Sequence, residues 1–307
     1  MDYLKSVEHS ETMQSISQEV QKSISNVETK AFHQVRAGFA KRVAAIDFLE
    51  IHVLDRLRYL GESANLSPEL VALQAQAKTL FQRFKTANKR VLGGLRRRIK
   101  SGRYNTEKLT NILARYAGPP DGSGYDTLDM IVAGLLGADA PSVERIALEP
   151  EMVHYQPTPA RVILELIKLT KIGPDDIFYD LGSGLGQVVI LATLLSEARA
   201  TGIEFEPAYV EYARRSAKQL NIPGVEFIQA DAREVSLADG TVFFMYTPFR
   251  GTMLQQVLKR LAAEAKTRPI RVCTYGPCTA KVAASSWLRP EEGCDLNEQR
   301  VAVFHSL

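Results

Sequence analysis

Apolar residues in the first half of the chain recur three and four positions apart, the period of a helix with one buried face. Met13, Ile16, Val20, Ile24 and Val27 trace a narrow seam through a segment otherwise rich in Ser, Gln and Glu. The spacing continues through Phe32, Val35, Phe39, Val43, Ile46, Leu49, Val53, Leu57 and Leu60, with Gly61 as the expected stop. Ser67-Pro68-Glu69 sets a capping hydroxyl before a proline at the first helical position. It predicts a third helix carrying Leu70, Leu73, Leu80, Phe81 and Phe84 towards Gly93-Gly94. Shorter helices are predicted around Leu109, Ile112, Leu113 and Tyr116 and over Leu128 to Leu136, separated by the breaker cluster Gly118 to Gly124. Pro141 to Pro150 is a connecting stretch.

From residue 151 the rhythm changes. Short apolar runs at Ile177 to Tyr179, Ala200 to Ile203, Val225 to Ile228, Val242 to Tyr246 and Ile270 to Tyr275 alternate with helical segments such as Pro207 to Leu220 and Thr252 to Ala265. Such alternation predicts a mostly parallel sheet covered by helices on both faces. Trp287 to Pro290 and Arg300 to His305 add a final hairpin-like pair. The expected fold class is α/β, a seven-stranded doubly wound sheet over 151–307. An all-helical amino-terminal domain over 1–150 precedes it, to bind substrate or to dimerise.

Composition, with 45% hydrophobic and 24% charged residues, is that of an ordinary soluble protein. No basic segment followed by an apolar stretch opens the chain, and Val188 to Leu195 is its longest near-apolar run, so a cytoplasmic location is expected. Cys273, Cys278 and Cys294 lack both disulfide and zinc-ligand spacing and are read as small apolar residues. Charge changes the picture more. The net charge of +3 is unevenly spread: residues 1–150 hold 21 Lys/Arg against 17 Asp/Glu, whereas 151–307 hold 17 against 18. From Lys78 to Lys108 there are eleven basic residues and one acid, Glu107. This stretch is either the footprint of a protein or nucleic-acid partner or a solvated helix face.

Ligands of open parallel sheets bind beyond the carboxyl ends of the strands. The first strand ends in "FYDLGSGLGQ", where Asp180 precedes Gly182, Gly184 and Gly186. The glycines permit a tight turn and close backbone approach. Their spacing is tighter than that of a pyrophosphate-binding turn, and the preceding acid would repel phosphate but suits an ammonium group near a sulfonium. Glu204, 24 residues on, stands where a carboxylate takes both ribose hydroxyls. Asp231 after the third strand can accept from an exocyclic amine, although taken singly a helix cap explains it better. Together these acids describe S-adenosylmethionine. Ser183, Gln187, Phe205 and Ala232 flank them and complete the expected cofactor site.

These motifs resemble the class I, seven-stranded S-adenosylmethionine-dependent methyltransferases over roughly 151–307. Within that superfamily "DLGSGLGQVVI" is similar to the non-SET histone lysine methyltransferases of the disruptor of telomeric silencing type. That family has a Tyr-Gly-Glu-Thr element folded over the methionine end of the cofactor; Tyr155-Gln156-Pro157-Thr158 stands at the same distance here, matching at Tyr155 and Thr158. The resemblance implies methyl transfer without a metal, with the acceptor beside Tyr246, Thr247, Pro248 and Phe249. Those four replace the family's Asn-Asn-Phe, so lysine specificity does not carry over. His154 is a base only by proximity. The leading expectation is a methyltransferase for a protein amine or other macromolecule. A small-molecule methyltransferase, and a cofactor-binding interaction protein without catalysis, stay open beside it.

Overall fold

The computed structural model describes residues 2–32, 38–63, 65–117, 125–137 and 151–307. Val35, the breaker cluster Gly118 to Gly124 and the stretch Pro141 to Pro150 lie outside them. The chain divides into two compact units, Met1–Gly94 and Leu95–Leu307.

The first unit holds α1 (Asp2–Phe32), α2 (Phe39–Leu49), a π-helical turn (Glu50–Leu54), α3 (Asp55–Ser63) and α4 (Pro68–Lys100) as far as Gly94. The predicted seams meet in one core: Val20, Ile24 and Val27 of α1 pack with Leu49, Val53 and Leu57 and with Leu70, Leu73, Leu80 and Phe84 of α4. Ser67 starts α4 as expected, its hydroxyl accepting from the Leu70 amide at 3.2 Å. Two expected stops are not stops. Gly61 lies inside α3, and Gly93-Gly94 lie inside α4. An interior glycine costs a helix only about 1 kcal/mol, which buried positions on both sides, such as Phe84 and Ile99, readily offset.

The second unit opens with α5 (Thr106–Ala114), α6 (Thr127–Leu136) and α7 (Ala160–Thr170). Its sheet comprises β1 (Ile177–Leu181), β2 (Arg199–Glu204), β3 (Val225–Gln229), β4 (Val242–Met245), β5 (Arg271–Thr274), β6 (Leu288–Pro290) and β7 (Ala302–Ser306). Between them run α8 (Gln187–Ser196), α9 (Pro207–Leu220), α10 (Gly251–Ala265) and α11 (Cys278–Ala283). The strand order is β3-β2-β1-β4-β5-β7-β6. The first five are parallel, and β7 enters antiparallel between β5 and β6, so the expected closing pair is present.

The compact division falls at Gly94 rather than at residue 150. The reason lies in α5 and α6, whose apolar faces are completed by the helices of the sheet. Leu109 and Leu113 of α5, and Leu128, Ile131, Val132 and Leu135 of α6, are buried, with α5 against α8 and α6 against α7 and α9. Polar contacts agree: the Asp129 carboxylate accepts from the Ala160 amide at 2.7 Å, and the Tyr212 hydroxyl donates to the Gly137 carbonyl at 3.0 Å. No helix among the described residues is long and apolar enough to cross a membrane.

Candidate active site

Strand order reverses at β1, between β2 on one side and β4 on the other. The carboxyl ends of these strands bound a cleft of about 450 Å³. It is lined by all the residues expected to bind cofactor or acceptor except Gly184 and Gly186, and His154 stands at its exposed rim.

The turn after β1 is pinned to β2. The amides of Gly182 and Ser183 both donate to the Ile203 carbonyl, at 2.8 and 2.9 Å, and the Gly184 amide donates to the Glu204 carboxylate at 2.8 Å. Gly184 and Gly186 occupy left-handed backbone, φ +51 and +81, and shape the cleft from behind. A Cβ on Gly184 would stand 2.2 Å from the Tyr155 ring. One on Gly182 would meet Pro248 at 2.3 Å. The missing side chains thus let Tyr155 and Pro248 close on the turn.

Tyr155 is carried by a strap, residues 151–159, held at several points. The Gln187 side-chain amide donates to the Thr158 carbonyl, and the Tyr125 hydroxyl donates to the Pro157 carbonyl at 2.8 Å. The Tyr155 ring lies 5.1 Å from that of Tyr209 in the first turn of α9. Tyr209, which also lines the cleft, was hidden in the sequence because the apolar periodicity of α9 reads as ordinary core. Tyr125, two residues before α6, carried no signal at all.

Asp180 is 3% exposed and Glu204 stands beside it. Burial and then the Glu204 charge push its pKa from 3.8 up to about 8. Burial likewise raises Glu204, against hydrogen bonds from the Glu206 and Gly184 amides. No described cation balances the pair. The Ser183 hydroxyl is also buried and unpartnered. Two carboxyl groups and a spare hydroxyl in one small space constitute a site for a cationic ligand with hydrogen-bond donors.

Asp231 lines the cleft too, but Arg233 grips it, with Nε at 3.0 and 2.9 Å, Nη2 at 2.6 Å and the backbone amide at 2.7 Å. Those bonds hold its carboxyl below the usual range. Opposite, Tyr246, Pro248 and Phe249 form a wall after β4. Thr247 adopts φ +40, rare for a β-branched residue, and its buried hydroxyl turns towards the Tyr275 carbonyl at 3.5 Å. Burial, with Tyr125 and Tyr275 nearby, pushes Tyr246 up to about 12, and Tyr155 moves the same way, so neither phenol is a base at neutral pH.

Residues 178–267 match the methyltransferase domain family. Over those residues the chain is similar to a methyltransferase domain. Over 96 residues it is 29% identical to a protein-lysine N-methyltransferase of Saccharolobus islandicus, covering 31% of this chain and 60% of the relative. A histone-lysine N-methyltransferase, H3 lysine-79 specific, of Cryptococcus neoformans is 39% identical over 56 residues, 18% of this chain and 9% of that protein. The chain thus spans less than two thirds of either relative. Among solved structures, an RNA methyltransferase from Salinibacter ruber in complex with S-adenosyl-L-homocysteine aligns at 28% identity over 49% of this chain and 92% of that chain, with a TM-score of 0.39. S-adenosylmethionine is the ligand expected for this cleft from the sequence. Its ammonium and sulfonium suit the uncompensated Asp180–Glu204 pair, and its hydroxyls suit the acceptors left on Glu204.

Proposed function

We propose that the protein is an S-adenosylmethionine-dependent methyltransferase acting on a protein amine of the lysine type. The observation that carries the proposal is the buried, uncompensated Asp180 under a glycine turn, facing the Tyr246–Phe249 wall across one cleft. Protein lysine as acceptor is supported by what the relatives from Saccharolobus islandicus and Cryptococcus neoformans are named for.

In this proposal Asp180 takes the cofactor ammonium, while Glu204 takes the ribose hydroxyls. Phe205, Ala232 and Asp231 border the adenine, Asp231 having only the lone pairs that Arg233 leaves it. Tyr155 and Thr158 close over the methionine end. When bound, the cofactor supplies a methyl group activated by a positively charged sulfur. The chain supplies alignment: Tyr246, Pro248 and Phe249 confine the acceptor nitrogen so that its lone pair points along the bond to be broken, and dry walls exclude competing water. Positioning of this kind is worth on the order of 7–11 kcal/mol of barrier. With neither tyrosine able to accept it, the amine proton goes to solvent before attack.

Labelled methyl transfer into fractionated cell extract tests this. Label is expected in protein and stable at lysine. Label confined to small molecules would establish the small-molecule reading instead. Cofactor binding without label in any fraction would make the chain an interaction protein, the reading favoured by the missing amide side chain after β4.

A macromolecular partner is also supported by α4. Lys78, Arg83, Lys85, Lys89 and Arg90 are exposed on it, and no acid lies between Glu69 and Glu107. Arg96 donates to Gln219 at 2.6 Å, whereas Arg97 and Arg98 are exposed. Binding of a mixed-sequence DNA duplex, followed by anisotropy, is expected to weaken when Arg97 and Arg98 become Gln. The slope of log affinity against log salt should fall by roughly 1–2. Equal binding across the salt series would defeat a role for this face in nucleic-acid contact.

A further inference from the structure

The two walls of the cleft are fastened together at a point outside it. Glu151 begins the strap that carries Tyr155, and its carboxylate reaches across to Thr252 in the first turn of α10, 101 residues away in sequence. There it accepts from the Thr252 amide at 3.1 Å, the Thr252 hydroxyl at 2.7 Å and the Met253 amide at 2.8 Å. Arg250, the residue at the cap position, contributes no side-chain bond of its own, so Glu151 is the cap of this helix. The backbones are joined as well. The Arg250 amide donates to the Glu151 carbonyl at 2.8 Å, the Val153 amide donates to the Pro248 carbonyl at 3.1 Å, and Met152 pairs antiparallel with Phe249.

Gly251 makes the contact possible. It sits at φ +52, and a Cβ on it would stand 2.1 Å from a Glu151 carboxylate oxygen. The carboxylate crosses the space that any other residue would fill. Hydrogen bonds from the Met253 and Thr252 amides at the helix start lower the pKa of this carboxyl. Nothing in the cofactor chemistry requires such a clasp, since Glu151 does not line the cleft.

We infer that Glu151 and Gly251 form a clasp that makes the cofactor strap and the acceptor loop a single unit, so that Glu151 is a positioning residue for both substrates. The inference rests on the proposed methyltransferase reading for its effect on substrates, but not for the clasp itself. Its consequence is coupling. With the clasp closed, Tyr155 over the cofactor turn and Phe249 at the acceptor wall keep fixed places relative to each other; with it open, both loosen together. A residue that only capped α10 would leave the strap indifferent.

Full-length protein carrying Glu151→Ala, Glu151→Gln, Gly251→Ala or the double change Glu151→Ala/Gly251→Ala separates these cases. Amide hydrogen exchange should quicken in peptides covering both 151–158 and 246–252 in each alanine variant, and less in Glu151→Gln, whose amide oxygen still accepts. S-adenosylhomocysteine affinity should fall about tenfold, the size expected for lost hydrogen bonds to a charged group, with KM for both substrates raised more than kcat is lowered. The double variant should be no worse than either single one, because both break the same contact. Faster exchange confined to α10, unchanged affinity, or additive losses would each overturn the clasp. Should Gly251→Ala fail to fold, the two Glu151 variants decide alone. Failure of the unaltered protein to bind S-adenosylhomocysteine would sink the methyltransferase reading, while the exchange data would still decide the clasp.

Discussion

Asp180→Asn is expected to lower S-adenosylmethionine affinity about a hundredfold or more while making the ligand-free protein more stable in mild alkali. Both effects have one cause. Asp180 is a buried carboxyl with a like charge beside it and no described counter-charge, so ionising it in the empty cleft is costly. Its pKa in the folded chain, about 8, lies above the ordinary 3.8. Between those values the unfolded chain gives up a proton that the folded chain keeps. Stability therefore falls as pH rises from about 4 towards 8 and is level above that. Asparagine removes this slope, and each kcal/mol regained raises Tm by roughly 2–4 °C in a unit of this size.

The cofactor reverses the preference, because its ammonium favours the ionised carboxyl. Affinity should accordingly climb as pH approaches 8, by up to about tenfold per unit. Binding near pH 7 should release a proton, visible as a buffer-dependent heat in calorimetry. Loss of a buried charged partner at about 3 kcal/mol or more accounts for the hundredfold drop in the variant. Normal affinity in Asp180→Asn, or a melting profile with the same pH slope as the unaltered chain, would remove Asp180 from the cofactor site.

The sheet domain was largely legible in the sequence because parallel strands buried on both faces are short, apolar and bounded by turn residues. Val242 to Tyr246 and Pro207 to Leu220 could hardly be anything else. The helical half was legible as helices but not as units. Interior glycines such as Gly61 and Gly93 are strong local signals that tertiary burial outweighs, and nothing in the apolar pattern of α6 says that its partner is α7 rather than α4. In the cleft, residues at strand ends could be foreseen because the topology of a parallel sheet fixes where ligands go. Tyr125, Tyr209 and Glu151 could not, since each reaches the cleft or its clasp through a long-range contact that has no local pattern. The grip of Arg233 on Asp231 belongs with them: a single residue separates acceptor from donor, but nothing in the sequence says that the acid is already engaged.

Gly184→Ala and Gly186→Ala, two residues apart in one motif, are expected to fail in opposite ways. Both glycines have positive φ, so alanine brings backbone strain of about 1–2 kcal/mol at either site. What the new methyl group meets differs. At position 184 it strikes the Tyr155 ring, 36% exposed on a surface strap that can swing away. The fold survives, but the strap no longer lies over the turn, and cofactor affinity should fall by about tenfold to a hundredfold, with Tm lowered only by the few degrees that the backbone strain costs. At position 186 the methyl group meets the Phe227 ring at 2.6 Å and the Ala213 side chain at 2.7 Å, both buried between α9 and the sheet. Neither can leave without opening the core, and overpacking of this kind costs about 1–3 kcal/mol beyond the strain. Gly186→Ala should therefore lower Tm by several degrees more than Gly184→Ala does, and the fraction that remains folded should still bind cofactor. Thermal melts paired with calorimetry on both variants check the contrast. A Gly184→Ala protein that binds normally would mean that Tyr155 plays no part in holding the cofactor.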